Sequence, residues 1–464
     1  MASTRSSPPA DAARVAQAVR DAVARLVAAH PSPPRLAVAL SGGRDSMALL
    51  DALASTPDAT RLALSAVHVH HGLSPDAERW AQFCAAECSR RGVPLRVARV
   101  RVARRGGESL EAAARDARYA ALAALDVDCI ALAHHADDQA ETLLLQLVRG
   151  AGPHGLAAMA RERRGTGPTL LRPLLALRRA DIEAYVAERG VAYIDDESND
   201  DTRHKRNFLR HEISPRLAAA FPGYPRTLLR AARHQADAAE LLDAIAAEDA
   251  AIAGYASGPN PALDRSAVIA LARAAPSRAR NLLRWFIRAQ GLPAPSTARL
   301  ATMLAQLLNA AADARVRCRH AGLELGIHRD RVVLHAPPPS PYRVRWDGAD
   351  TLVLPHGTLH FAASEGNGLA RSALGEREII VQPRRGGELL RIAANRPRQP
   401  LKRLFHDAGV PEWDRGGWPL VWCGEALAAV PGIGVALEFQ SRGSAPGYTL
   451  RWQPGIAGDA DVLK

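Results

Sequence analysis

The sequence predicts an α/β fold built on a parallel sheet, followed by a helical middle region and a small α+β region at its C-terminal end. Three observations predict it. Short apolar runs alternate with helical patterns from residue 11 to residue 148. The first run, Leu36-Ala37-Val38-Ala39-Leu40, breaks at Ser41-Gly42-Gly43 and resumes with helical spacing at Arg44-Asp45-Ser46-Met47-Ala48-Leu49-Leu50. Finally, Pro337-Pro338-Pro339-Ser340-Pro341 separates an Ala/Leu-rich helical stretch from a segment of short strands mixed with a helix. With 464 residues and 47% hydrophobic content, the chain has ample material for about three domains of roughly 100 to 200 residues each.

In chain order, residues 1–10 are small and Pro-rich and are expected to be disordered. From Asp11 to about Ala29, Val15, Val19, Val23 and Val27 recur four apart and give a surface helix, which Pro31-Ser32-Pro33-Pro34 ends. After the strand and helix around the glycine turn, Leu62 to His70 reads as a second strand running into a turn at Gly72. Pro75–Ser89 then reads as a helix, Leu95–Val100 as a strand, Glu108–Leu125 as a helix, Cys129–Ala133 as a strand and Asp137–Val148 as a helix. Strands spaced by helices pair in parallel with both faces covered, and ligands of such sheets lie beyond the C-terminal strand ends. Three corners fall there: 41–46, His68 to Gly72, and His134-His135-Ala136-Asp137-Asp138.

The first corner has the chemistry of a phosphate cradle. Gly42 and Gly43 lack a Cβ and let the backbone approach a polyphosphate, whose charge suits the free N–H groups and dipole of the following helix. Ser41 and Ser46 add hydroxyls, and Asp45 is placed to hold Mg2+. An ordinary strand-to-helix turn capped by Ser or Asp would use the same residues. The Walker pattern, ending in Gly-Lys-Ser/Thr, is absent. At the third corner, Asp137 and Glu141 are four apart and Asp138 and Glu141 three apart, so the carboxylates share a helix face. They suit magnesium or a substrate ammonium, and equally an acidic helix start. His68, His70, His71, His134 and His135 cluster at two corners without an H-E-x-x-H pattern, so zinc is not expected.

Lys and Arg outnumber Asp and Glu by 60 to 48, a net charge of +12 with a pI near 10.1, which points to a polyanionic partner such as nucleic acid. Lysine occurs only at Lys205, Lys402 and Lys464, so the Arg and Ala richness reads as coding bias. Cys84, Cys88, Cys129, Cys318 and Cys423 are scattered and lack C-x-x-C spacing, which suits reduced thiols in the cytoplasm. No run of about 18 apolar residues occurs, so no membrane partner is expected.

The Ser-Gly-Gly-Arg-Asp-Ser loop resembles that of the N-type ATP pyrophosphatases, and a longer ordered set of blocks is similar to the tRNA(Ile)-lysidine synthetase family. The blocks are 41–46; His68-Val69-His70-His71-Gly72-Leu73; Glu108 with Ala114-Arg115-Asp116-Ala117-Arg118-Tyr119; His134 to Thr142 with Arg149-Gly150; Arg172-Pro173-Leu174-Leu175; and Asp196-x-Ser198-Asn199 leading to Arg206-Asn207-Phe208-Leu209-Arg210. The resemblance implies an N-terminal extension at 1–34, a PP-loop (adenine nucleotide α-hydrolase-like) catalytic domain at 35–215, a helical tRNA-gripping middle domain at 216–336 and a C-terminal tRNA-binding domain at 342–453.

It also implies a two-step reaction in which a CAU-anticodon tRNA(Ile) is adenylated by ATP at its wobble cytidine, and AMP is then displaced by free L-lysine. Ser41, Gly42, Gly43, Arg44, Asp45, Ser46 and His134 are the expected ATP-binding residues, with Asp45 also the metal site. Asp45, Asp137 and Arg115 are the expected catalytic residues. Asp138, Glu141, Arg118, Arg206, Asn207, Arg210, Lys402 and Arg403 are expected to bind substrate. Arg115 and Arg118 share a helix side and suit a phosphate or the target nucleotide, or are simply exposed helical arginines. Lys402 and Arg403, beside Phe405, suit an acceptor stem or simply an amphipathic helix. His204 stands where an aromatic residue is more usual, and a homodimer is left open. Two rivals remain: a tRNA thiolase with the same loop, which would need a cysteine pair absent here, and an RNA binder whose ATP site has decayed, which would not need Asp45, Asp137 and Asp138.

Overall fold

Side chains alternate across Arg35–Ala39 (β1), and this alternation sets the layers of the N-terminal half. Leu36 and Val38 join one core cluster, whereas Ala37 joins another on the opposite face. The structure, a computed structural model, describes residues 11–103, 110–165, 167–195, 201–258, 261–310, 316–337, 341–375 and 377–454. Glu108, the 196–200 block and Pro338 to Ser340 of the linker lie outside the described residues.

The chain divides into two units, 1–241 and 242–464. The division falls inside one long helix, downstream of residue 215, where the resemblance ends the catalytic domain. In the first unit the elements are α1 (Asp11–Ala28), β1, α2 (Arg44–Ala54), β2 (Ala63–His70), α3 (Ala77–Arg90), β3 (Leu95–Arg99), α4 (Leu110–Ala123), β4 (Cys129–Ala131) and α5 (Ala136–Val148). There follow α6 (Pro153–Leu156), β5 (Glu162–Arg163), β6 (Thr169–Leu171), α7 (Arg179–Arg189), α8 (Lys205–Phe208), α9 (Ser214–Ala220) and α10 (Tyr224–Ile252). Strand order is β3-β2-β1-β4-β6-β5, parallel except for the β5 edge. The chain winds outward from β1 through β2 to β3, then returns to β1's other side for β4. The loops after β1 and β4 therefore lie at a topological switch point, the place where sheets of this kind bind ligands.

Helices cover both faces. Val15, Val19 and Val23 of α1, Met47, Leu50 and Leu53 of α2, and Ile182 and Tyr185 of α7 pack on the Leu36 and Val38 side. Leu122 of α4 and Leu125 pack with Ala37, Val67 and Ile130 on the other. A buried carboxylate, Asp51, ties α2 to its neighbours: it accepts from Tyr185 Oη at 2.9 Å, from Arg91 at 3.2 Å and from Arg189 at 3.3 Å. With three donors, the carboxylate avoids the cost of an unpaired buried charge and locks α2 in azimuth. The strands β5 and β6 go beyond the sequence reading, since two- and three-residue runs between Gly and Pro carry no usable period.

In the second unit, α11 (Arg265–Ala274), α12 (Pro276–Ala289) and α13 (Thr297–Asn309) pack against a sheet of order β7-β10-β9-β8. Its strands are β7 (Ala262–Asp264), β8 (Cys318–His320), β9 (Leu323–His328) and β10 (Arg331–His335). β9 and β10 form a hairpin, and β7 adds an edge to it, inside a region expected to be helical. Beyond residue 341 two antiparallel sheets of five and four strands enclose a separate core that includes Phe361, Phe405 and Leu420. In the helix Leu401–Asp407, Leu401 and Phe405 are buried while Lys402 and Arg403 are exposed, so the helix is amphipathic with its basic side outward.

His68 supplies a test of the sheet's interior. Its ring is 5% exposed and Nδ1 donates to the Leu40 carbonyl at 2.9 Å, just before the glycine turn. Burial, only partly offset by that bond, holds the imidazole below its ordinary 6.5. The unfolded chain therefore takes up this proton first as pH falls below 6.5, so the stability gained from a neutral His68 is complete above that value and lost below it. His68→Gln is expected to narrow the gap between urea-denaturation midpoints measured near pH 7 and near pH 5.

Candidate active site

The glycine turn is shaped from within. Gly42 has φ +89°, a region costly for any side chain, and a Cβ there would lie 3.0 Å from Ile194 Cδ1 and 3.2 Å from Cys84 Sγ. The Gly42 carbonyl accepts from Ile194 N at 2.9 Å, so the segment leading to residue 195 straps the loop from behind. Ser46 Oγ donates to the Gly43 carbonyl at 2.9 Å and lies 3.0 Å from Ser41 Oγ, which accepts from Gly43 N at 3.3 Å. The two serines thus brace the turn. Gly43, the N-cap of α2, offers no side-chain acceptor, so the helix start retains donors for an anion.

The corner after β4 meets this turn. His135, 1% exposed, places Nε2 3.7 Å from Asp45 Oδ2 and 3.5 Å from Asp138 Oδ2, and Nδ1 3.5 Å from Asp137 Oδ2. These are ion-pair separations longer than hydrogen bonds, and neither ring nitrogen has a hydrogen-bond partner among the described residues. Burial alone would discharge the ring. The facing carboxylates of Asp137, Asp45 and Asp138 outweigh it and push His135 up to about 10. Burial likewise works against an ionised Asp45, but His135 and Arg44 hold that carboxyl down to about 2. The site is thus an imidazolium among three ionised carboxylates. The sequence reading places His135 only in a histidine pair; its position at the last β4 corner, just ahead of the acids, is the signal that marks it out.

The three acids of α5 have different occupations. Asp137 Oδ2 accepts from Arg179 N at 2.9 Å, and no hydrogen bond from a described residue reaches its Oδ1. Asp138 Oδ2 accepts from His135 N at 3.1 Å, as a capping acid does, while its Oδ1 lies 3.3 Å from Arg210 Nη2. Glu141 is buried and bound by Arg206 Nε at 2.8 Å and by Arg210 Nε and Nη2 at 2.8 and 3.1 Å. Arg206 Nη2 also reaches the Asp138 carbonyl and Thr142 Oγ1, each at 3.2 Å. Arg210 arrives through a single π turn, Leu209–Ile213, that follows α8. Asn207 donates to the Asp201 carbonyl at 3.0 Å. Glu141, Arg206 and Arg210, all expected to bind substrate, are thus brought together and bound to one another.

On α4, the Arg115 and Arg118 guanidinium carbons lie 5.1 and 5.7 Å from the Tyr119 ring centroid, and Arg163 adds a third at 5.6 Å. Burial pushes Arg118 below its ordinary value, Tyr119 opposes this in part, and the charges of Arg115 and Arg206 add to it. His134 is held neutral, down to about 3, by burial, and its buried Nδ1 lacks a partner among the described residues. Lys402 and Arg403 belong to the second unit, where Arg403 lies 3.8 Å from Asp407.

Removing the acid that both arginines share tests this arrangement. Glu141→Ala leaves two partly buried guanidiniums without their main counter-ion and is expected to destabilise the protein by about 3 kcal/mol in urea denaturation.

Family models match three stretches: a PP-loop domain at residues 13–217, a TilS substrate binding domain at 267–333 and a TilS substrate C-terminal domain at 379–452. The tRNA(Ile)-lysidine synthase of Chromobacterium violaceum is 43% identical over 90% of this chain and 95% of that protein. The enzyme of the same name from Alkalilimnicola ehrlichii is 41% identical over 89% of this chain and 92% of that protein. A solved structure of the U34-tRNA thiolase NcsA from Methanococcus maripaludis is similar at 16% identity and a TM-score of 0.40, over 48% of this chain and 79% of that one. No described helix is long and apolar enough to cross a membrane. With an ATP-utilising PP-loop domain at its N-terminal end and relatives of this identity along nearly its whole length, the chain belongs to the tRNA(Ile)-lysidine synthase family.

Proposed function

We propose that this chain joins free L-lysine to C2 of the wobble cytidine of a CAU-anticodon tRNA(Ile), using one ATP, in the crevice between the glycine turn and the α5 corner. The observation that carries the reading is the meeting of the two loops: Asp45 and Asp137 face the same imidazole, at 3.7 and 3.5 Å. Cytosine's carbonyl oxygen is a poor leaving group, and adenylation makes it a good one. In the first step O2 of the cytidine attacks the α-phosphate, the P–O bond to the β-phosphate breaks and diphosphate leaves. In the second the lysine ε-amine attacks C2, the C–O bond to AMP breaks and the amine loses a proton.

The turn between Ser41 and Ser46 would hold the triphosphate with backbone N–H groups, with Arg118 and Arg115 on the cationic side for developing charge. Among the described residues no group of three or more ligating side chains is gathered for a metal. Mg2+ on a nucleotide commonly takes one carboxylate and completes its shell with phosphates and water, and an ionised, one-third exposed Asp45 fits that demand. There it would offset phosphate charge. Asp137 is the favoured carboxylate for the lysine amine, since Asp138 and Glu141 are held by Arg206 and Arg210. A reaction drawing on tRNA, ATP and free lysine belongs in the cytoplasm.

Incubation with ATP, labelled lysine and minor isoleucine tRNA tests the reading; label in RNA supports it, and tight tRNA binding without AMP release sinks it. Asp45→Asn is expected to lower kcat for diphosphate release by about 100-fold or more with tRNA affinity nearly unchanged. Asp137→Asn separates the steps: diphosphate release should persist while lysine incorporation falls about 100-fold. Equal losses in both would remove Asp137 from the second step.

A further inference from the structure

On the α1 face of the sheet, a cavity of about 260 Å³ lies between the last turn of α1 and the strands β4, β5 and β6. None of its lining residues belongs to the glycine turn or the α5 corner. Four arginines line it, Arg25 from α1, Arg161 and Arg164 flanking β5, and Arg172 after β6, against one lining carboxylate, Glu162. The guanidinium groups of Arg25, Arg161 and Arg164 form no hydrogen bond or ion pair with any described residue. One turn before Arg25, Asp21 accepts from Gln17 at 2.7 Å.

Partial burial and then the charge of Arg25 act against the charge of Arg161, with Arg233 of α10 adding to the repulsion and Asp21 and Glu162 relieving part of it. Arginines at the end of a helix are ordinary, and Arg25 alone would need no explanation. Three exposed guanidiniums with no hydrogen-bond or ion-pair partner among the described residues, lining one concavity with a single carboxylate, are different, because their combined charge favours an anion there. At about 260 Å³ the cavity lies below the roughly 300–1,000 Å³ of sites that enclose a whole small molecule, a size that suits a phosphate group. Arg172, which lines the cavity, feels the charges of Arg163 and Arg115, and these two lie with Arg118 near the Tyr119 ring.

We propose that this cavity is a phosphate-binding site for the RNA backbone, with Arg25, Arg161 and Arg164 as its ligands, outside the catalytic crevice. The inference rests on the reading of tRNA as substrate. Its test is tRNA binding at several salt concentrations by wild type and by the double variant Arg25→Gln/Arg161→Gln, with ATP affinity measured alongside. Each arginine withdrawn from a phosphate lowers the slope of log K against log salt by about one, so the slope should fall by one to two and affinity by about tenfold near 0.1 M salt. ATP affinity should not move. Unchanged slope and affinity would overturn the proposal, and so would a loss of ATP affinity in place of tRNA affinity. An equal loss in Arg61→Gln, an exposed arginine paired with Asp58, would also overturn it by showing that net charge alone is at work. A wild type with no tRNA affinity would refute the substrate reading itself, a result distinguishable from these.

Discussion

The site depends on one buried charge arrangement, His135 among Asp45, Asp137 and Asp138. Parallel pairing of β1 with β4 brings the two loops to one end of the sheet, but backbone pairing alone leaves Asp45 facing two other acids. Three carboxylates so close would repel, and some would take up protons at neutral pH. The imidazolium between them, together with Arg44, Arg179 and Arg206, offsets that repulsion and favours the ionised form of all three. Burial makes the arrangement stiff as well as charged: a ring 1% exposed cannot turn to water for its partners.

Much of this is legible in the chain. Alternation in Leu36-Ala37-Val38 sets the strand and its two faces, two glycines set the turn, and the spacing of Asp137, Asp138 and Glu141 sets a shared helix face. What cannot be read there is which distant group each acid meets. Glu141 pairs with Arg206 and Arg210, which lie 65 and 69 residues on, and no local period encodes that choice. The π turn that aims Arg210 and the three-residue strands β6 and β7 are likewise products of tertiary pairing rather than local propensity. The 29-residue α10 has a period but no punctuation, so its crossing of the boundary between units leaves no mark in the sequence.

Holding arginines with acids also settles how a basic segment can remain available to a polyanion. A guanidinium carries five N–H donors. Arg206 and Arg210 each use Nε and Nη2 toward Glu141, Asp138 or Thr142, and Nη1 of neither appears in a bond to a described residue. The carboxylates fix where the two planes lie and still leave donors on the outer edge. Such an arginine meets an incoming phosphate with its rotamer already fixed, so less side-chain entropy is lost on binding than for a free surface arginine. The carboxylates reduce net attraction but sharpen direction. A site that must seat one base within reach of one phosphorus atom gains more from direction than from raw charge.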